Sequence, residues 1–466
     1  MLTSRVNGDN RLSLWLRVRE FAVPPSMIET AARRRSVGDW AGACAAARVD
    51  VDLDLRSAAR TYGRERAALV KADLRRLAPD LLRWHMPRIA PDGVLRPGLT
   101  VPLARYGAHG EDDSGTGPPG DASSPPLYLV VRTAPAWADA GQRMSLALWD
   151  GARSAGGERR HPHPYPSRRY RLDLHRHLWD VTRSDELRFR SGADTMPPDP
   201  PPGEETAERA VDRWAAEAGI LLGSEGLSSG RVRVRLGARR QLVLDLPADG
   251  GPASVLPAPV GAKAMPALPD AATWVLPDLA LLRAGLIGAG ELHPLVAAAL
   301  VPGHLPAGPA PAADSPGQPR PVDCRGVTHR IGLSDGVLVP LDHGPAEIRR
   351  EELLVALGGP PLPCLQAIDQ AHRRPDALTG VRERLDHGDI AGALAIVDGL
   401  IGPDAALRNG ALRDALESAA RGRIAYGLYR ADLYGPAQGR TDRPGVDRPR
   451  SPRSHRVRRT RSTRIR

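Results

Sequence analysis

An α+β protein is the class this sequence predicts, with helical units at the two ends and a strand-rich, mainly antiparallel middle. Three observations carry that expectation. Apolar residues recur at helical spacing near both ends, the period drops to two over several stretches between Leu99 and Leu246, and Gly and Pro punctuate the whole chain. With 48 Gly and 46 Pro in 466 residues, the expected plan is ordered blocks joined by long loops.

In chain order, residues 1–25 read as a poorly ordered N-terminus and 26–90 as a helical unit. In that unit Ser26 is the expected cap of a helix to Val37, Gly38 its stop and Asp39 the cap of the next, Trp40 to Arg48. A longer helix should run from Arg64 to about Trp84, with Leu69, Leu74, Leu77 and Leu81 roughly on one face. Residues 91–247 read as a mixed domain. Its expected strands are Leu99 to Leu103, Pro126 to Arg132, Arg143 to Trp149 and Tyr170 to Leu174. A helix from Glu204 to Leu222 and a hairpin pairing Arg231–Leu236 with Gln241–Leu246 complete it. Residues 248–322 read as a helical segment between Pro/Gly linkers, with its helices inside Leu276–Val301 and broken near Gly288 to Gly290. A hairpin over Gly326–Leu341 and a C-terminal helical domain fill 323–435, and 436–466 read as a disordered Arg-rich tail.

The net charge of +11 would ordinarily suggest nucleic acid, but its distribution decides otherwise. Eleven Arg and two Asp between Arg440 and Arg466 give +9, so the rest of the chain is nearly neutral. Nucleic-acid binding is therefore expected through the tail only, at Arg453, Arg456, Arg458, Arg459, Arg461, Arg464 and Arg466, without aromatic residues for base stacking. Cys44, Cys324 and Cys364 lie far apart with no CxxC pair, which fits a reducing compartment. The N-terminus lacks the pattern of a signal peptide, and the most apolar stretch, Val275–Pro302, is interrupted by Asp278, Arg283, Glu291 and His293. The expectation is a cytoplasmic protein with no membrane contact.

Two stretches echo each other, Gly38-Asp39-Trp40-Ala41-Gly42-Ala43 and Gly388-Asp389-Ile390-Ala391-Gly392-Ala393. Each resembles the middle of a tetratricopeptide-type helical hairpin. Repeat arrays need about three adjacent copies to bury a continuous core, and these two lie 350 residues apart, so two separate hairpins are expected. The phrases Arg19-Glu20-Phe21-Ala22-Val23-Pro24-Pro25-Ser26-Met27-Ile28 and Trp84-His85-Met86-Pro87-Arg88 resemble those of an actinobacterial protein family to which no activity is attached.

Two His-x-His pairs, His161/His163 and His175/His177, are candidate metal ligands, because alternate residues of a strand project from one face. Arg168, Arg169, Arg171 and Arg176 around them oppose a divalent cation. Cys324, His329 and His343 bracket the late hairpin and form a second candidate set. Gly226-Leu227-Ser228-Ser229-Gly230 has the letters of a nucleophile elbow, but a helix precedes it and a strand follows, the reverse of the required order. Asp50, Asp52 and Asp54 start like a calcium loop, but Leu55 stands where glycine is needed and Thr61 where the bidentate Glu belongs. Neither Lys71 nor Lys263 follows a phosphate-loop glycine pattern, and Gly288-Ala289-Gly290 lacks the strand and third glycine of a dinucleotide site. The sequence thus predicts a non-catalytic protein with a protein partner at its helical ends and no cofactor; a metal-binding protein or enzyme using the His/Cys sets and tail-mediated nucleic-acid binding are the alternatives.

Overall fold

The computed structural model describes residues 11–107, 126–138, 142–151, 161–194, 208–237, 240–304, 320–324, 326–334, 337–357, 362–365, 376–401 and 411–433. Within them the chain is α+β, helix-rich with several small sheets.

Residues 11–17 form a helix that runs on as a π-helical turn, Val18–Ala22 (together α1). This corrects the expectation for 1–25, of which only 1–10 lie outside the described residues. Leu14, Val18, Phe21 and Ala22 share a buried face, and that burial, more than helix propensity, holds the segment in place. Helix α2 (Pro25–Ser36) starts at Pro25, whose fixed φ suits a first helical position, so Ser26 is not its cap. Gly38 then takes the left-handed conformation (φ +78°) that stops a helix. The Asp39 side chain accepts from the Gly42 amide at 2.8 Å and starts α3 (Trp40–Ala46).

After the short strand β1 (Val49–Val51), Asp54 caps α4 (Leu55–Tyr62) by accepting from the amides of Arg56 and Ser57. The long helix expected up to Trp84 is two helices, α5 (Arg64–Arg76) and α6 (Pro79–His85). Leu77 bridges to Asp180 and the Ala78 amide donates to the Trp179 carbonyl, so the backbone there serves another segment. Pro79, with no amide hydrogen, restarts the helix.

A two-stranded ribbon, β2 (Arg88–Ile89) and β3 (Val94–Leu95), leads to the main sheet of β4 (Thr100–Tyr106), β5 (Leu127–Thr133) and β6 (Met144–Trp149). The order is β1-β6-β5-β4, antiparallel except that β1 runs parallel to β6. Strand β4 lies at the edge, where Pro102 costs little, and the register shifts just after it.

The strand expected over Tyr170–Leu174 is instead a 3-10 turn, Leu172–Leu174, followed by another at Arg176–Leu178; His175 and His177 therefore lie on turns. Short α7 (Leu187–Arg190) and α8 (Trp214–Ser224) follow. The hairpin β7 (Gly230–Arg235) and β8 (Gln241–Leu246) gains a third strand, β9 (Ser254–Pro257), from the supposed connector. That edge strand is exposed throughout, so it carries no alternation to read. Helices α9 (Asp270–Thr273), α10 (Pro277–Arg283) and α11 (Pro294–Leu300) complete the body.

One core joins Leu74, Leu81 and Trp84 of α5 and α6 with Val101, Leu129 and Leu146 of the sheet, Trp179, and Leu281 and Val296 of α10 and α11. A second, smaller core lies between α8 and β7–β8. Beyond it come the sheet β10 (Arg320–Cys324), β11 (Val327–Ser334) and β12 (Val337–Pro340), then α12 (Pro345–Ala356), α13 (Asp376–Asp386), α14 (Ile390–Ile401) and α15 (Ala411–Arg430).

The far end of α3 meets the second of the echoing turns. Arg48, just past α3, donates to the His387 carbonyl at 2.9 Å and to Asp389 at 3.2 Å. Tyr426 of α15 donates to Asp50 of β1 at 2.5 Å, and Arg430 pairs with Asp50 and Asp52. Asp50 and Asp52 thus anchor the C-terminal helix. No helix among the described residues is long and apolar enough to cross a membrane.

Candidate metal centre

Strands β10 and β11 pair so that Cys324 faces Val327 and Val322 faces His329. Alternation then puts Val322, Cys324, His329 and Ile331 on one face of the hairpin. Gly326, at φ +89°, makes the turn, and the Asp323 carboxylate accepts its amide at 2.9 Å. His343 lies two residues ahead of α12, where the preceding Asp342 is fixed by Arg330 at 2.7 Å. A short helical turn at 363–365 brings Cys364 back over the same face, where it packs with Cys324 and Ile331.

The four side chains converge. One ligand atom from each of Cys324, His329, His343 and Cys364 lies within 4.8 Å of all the others. The two sulfurs are 2.7 Å apart, and His329 Nδ1 is 2.5 Å from His343 Nε2. Cys324, Cys364 and His343 are buried, and His329 is half-buried. Glu347, one turn into α12, sits 3.2 Å from His343 Nδ1 and is held below the usual carboxylate range by that histidine. The carboxylate thus stands beside Nδ1 while Nε2 is turned towards the cluster, the carboxylate–histidine arrangement that orients metal ligands. Burial and the Cys324 sulfur push the Cys364 thiol up to about 12, so Cys364 stays a neutral thiol unless a cation stabilises its thiolate.

Two thiolates and two imidazoles suit a tetrahedral zinc ion, with bonds of about 2.3 Å to sulfur and about 2.0 Å to nitrogen. Such an ion spaces its ligand atoms roughly 3.3–3.8 Å apart, so each close pair here would open by about 1 Å on loading. Four protein ligands leave no position for substrate, which marks a structural centre.

Cys364 was not among the sequence candidates. Twenty residues and the whole of α12 separate it from His343, so no short spacing announces it. The one available signal was scarcity, since two of the chain's three cysteines belong to the cluster.

The other candidates are placed differently. His161 Nε2 lies 3.1 Å from the Thr133 carbonyl, while its Nδ1 accepts the His163 amide at 3.3 Å, which occupies both ring nitrogens. His175 has Nδ1 2.8 Å from the Arg171 carbonyl and Nε2 3.2 Å from Glu217. His177 is buried beside it, with ring centroids 5.7 Å apart, but among the described residues the pair belongs to no set of three groups at ligand spacing. Among the described residues, Cys324, His329, His343 and Cys364 are the one set of three or more such side chains with ligand spacing. Arg453, Arg456, Arg458, Arg459, Arg461, Arg464 and Arg466 lie outside the described residues.

No protein-family model, no curated protein and no solved structure matches this chain.

Proposed function

We propose that this chain is a non-catalytic zinc-binding protein in which Cys324, His329, His343 and Cys364 hold one structural ion. The convergence of four buried or half-buried ligand atoms within 4.8 Å supports the reading best. The apolar core beside them is small, comprising the two cysteines and Ile331 with Val322 packed against them. A core of that size cannot offset the ordering of three strands and the segment that crosses them. Apparent zinc-binding free energies in small structural sites reach about 10–16 kcal/mol, which is ample to tie hairpin, α12 and the 363–365 turn together. Glu347, beside His343 Nδ1, would hold that imidazole in its ligating orientation.

Elemental analysis of the full chain, purified without chelator and supplied with zinc, tests this. The expected result is one zinc per chain, lost in Cys364→Ser and regained by none of the single-ligand variants. Zinc far below one per chain after loading refutes the proposal. So does a Cys324–Cys364 disulfide found by non-reducing peptide mass spectrometry in protein kept under reducing conditions.

A further inference from the structure

A cavity of about 440 Å³ opens in the body of the protein, between α1, the β2–β3 ribbon, the 169–178 turns and the start of α10. Its volume is that of small-molecule sites generally, and it is far from the metal ligands in the chain. Trp15, Tyr170 and Trp274 give it half-buried aromatic walls.

Its charge is unbalanced in a specific way. Seven arginines line it, and five have carboxylate partners: Arg11 with Glu208, Arg19 with Asp278, Arg169 with Asp270, Arg171 with Asp173 and Arg190 with Glu217. Arg88 and Arg96 have none among the described residues. Arg88 is buried, donates only to the carbonyls of Gly93 and Arg83, and leaves its Nε without a partner. Arg96 half-emerges beside Tyr170 and also has an unpartnered Nε. The two neighbour each other on the ribbon, where Arg88 pairs with Leu95. His177 adds a buried, unpartnered Nδ1 on the same cavity. Burial and the nearby Arg19 push Arg88 down to about 9, and burial with Arg190 and His175 pushes His177 well below its ordinary value. The unpartnered Nε of Arg88 and of Arg96 leaves two guanidinium donors unmet at the cavity, which an anion would relieve.

We propose that this cavity binds a small organic dianion, with Arg88 and Arg96 meeting its charges and Trp15, Tyr170 and Trp274 enclosing an apolar or aromatic body. A phosphate monoester and a dicarboxylate share that chemistry. Donors in a planar fork match either group bidentately.

Calorimetric titration of the full, zinc-supplemented chain with phenyl phosphate and with phthalate separates these two sources. Benzyl alcohol and inorganic phosphate are the controls for the apolar body and the charge alone. Saturable binding of one probe per chain is expected, tighter for the preferred dianion and absent for benzyl alcohol. Arg96→Gln, which breaks no side-chain hydrogen bond among the described residues, should weaken binding roughly ten- to hundredfold. Arg231→Gln, on the exposed face of β7, should leave it unchanged. No saturable binding of either probe overturns the proposal, as does Arg96→Gln binding like the parent, or weakening no more than Arg231→Gln does.

Discussion

Replacing Asp278 by Asn should unlatch α10 from α1. Asp278 is fully buried and accepts three donors: Arg19 Nε at 2.8 Å, Arg19 Nη2 at 2.6 Å and Trp84 Nε1 at 3.0 Å. The Asn oxygen can still serve Arg19 Nε and Trp84. Its amide nitrogen must then face Arg19 Nη2, donor against donor, while the guanidinium keeps its charge with no counter-ion. Breaking a buried pair in this way costs about 3–5 kcal/mol, against a total stability of about 5–15 kcal/mol. Burial alone would raise the Asp278 carboxyl, but Arg19 and His85 outweigh it and hold it well below the ordinary range. A carboxyl depressed in the folded state adds stability above its unfolded value, near pH 4, and loses it as pH falls further. Asp278→Asn should therefore also flatten the acid limb of the stability profile. Urea unfolding followed by tryptophan fluorescence is the assay, because Arg19 stacks 4.1 Å from Trp84 and 5.2 Å from Trp15. The paired replacement Arg19→Met with Asp278→Leu should recover part of the loss, since the apolar groups themselves need no partner but the Trp84 indole N–H and carbonyl lose theirs. A loss below about 1 kcal/mol in Asp278→Asn, or a double variant weaker than the single one, refutes the reasoning.

Other expectations follow from the same kind of contact. A Cβ added at Gly42 would run into the Asp39 carboxylate, and one at Gly392 into that of Asp389; each end is a movable side chain, so Gly42→Ala should cost only the cap, about 1 kcal/mol by thermal denaturation. A cost above about 3 kcal/mol would mean the backbone itself must move. Tyr426→Phe removes the donor to Asp50 and should raise hydrogen exchange in α15 while leaving α5 and α6 protected; unchanged exchange in α15 would show that the contact does not anchor it. Cys44 is buried near Asp39 and Asp80, and burial first, then those carboxylates, push its thiol up to about 12. At pH 8 its thiolate should be about a thousandfold scarcer than that of an ordinary cysteine, so iodoacetamide should spare it in native protein; rapid alkylation mapped by mass spectrometry would contradict that placement.

Much of the fold was legible because it rests on neighbours in sequence. The Gly-Asp-x-Ala-Gly-Ala echo is an instance: Gly38 and Gly388 adopt φ +78° and +80°, the following Asp accepts an amide three residues on, and the second Gly leaves room for that carboxylate. Strands β4 to β6 and the β7–β8 hairpin were likewise readable from local sequence, although only β7 buries alternate residues and β4 and β5 are buried on nearly both faces. Of the four converging side chains, Cys324, His329 and His343 could be found because they flank one hairpin.

By itself, then, the sequence determined the helical ends, the antiparallel middle, the capped turns and the neutral body with its basic tail, all set by composition or by interactions within a few residues. Tertiary structure alone decided which distant groups meet. Cys364 joins the cluster from beyond α12, and Arg48 ties the end of α3 to the turn at His387 and Asp389, far away in the chain. Buried α1 escaped notice because its apolar face is only recognisable once α6 and α10 are there to cover it. Arg88 and Arg96 look like any other arginines in a chain rich in them until folding assigns carboxylates to their neighbours. Pairing of buried charge depends on which segments pack side by side, and no local pattern encodes that.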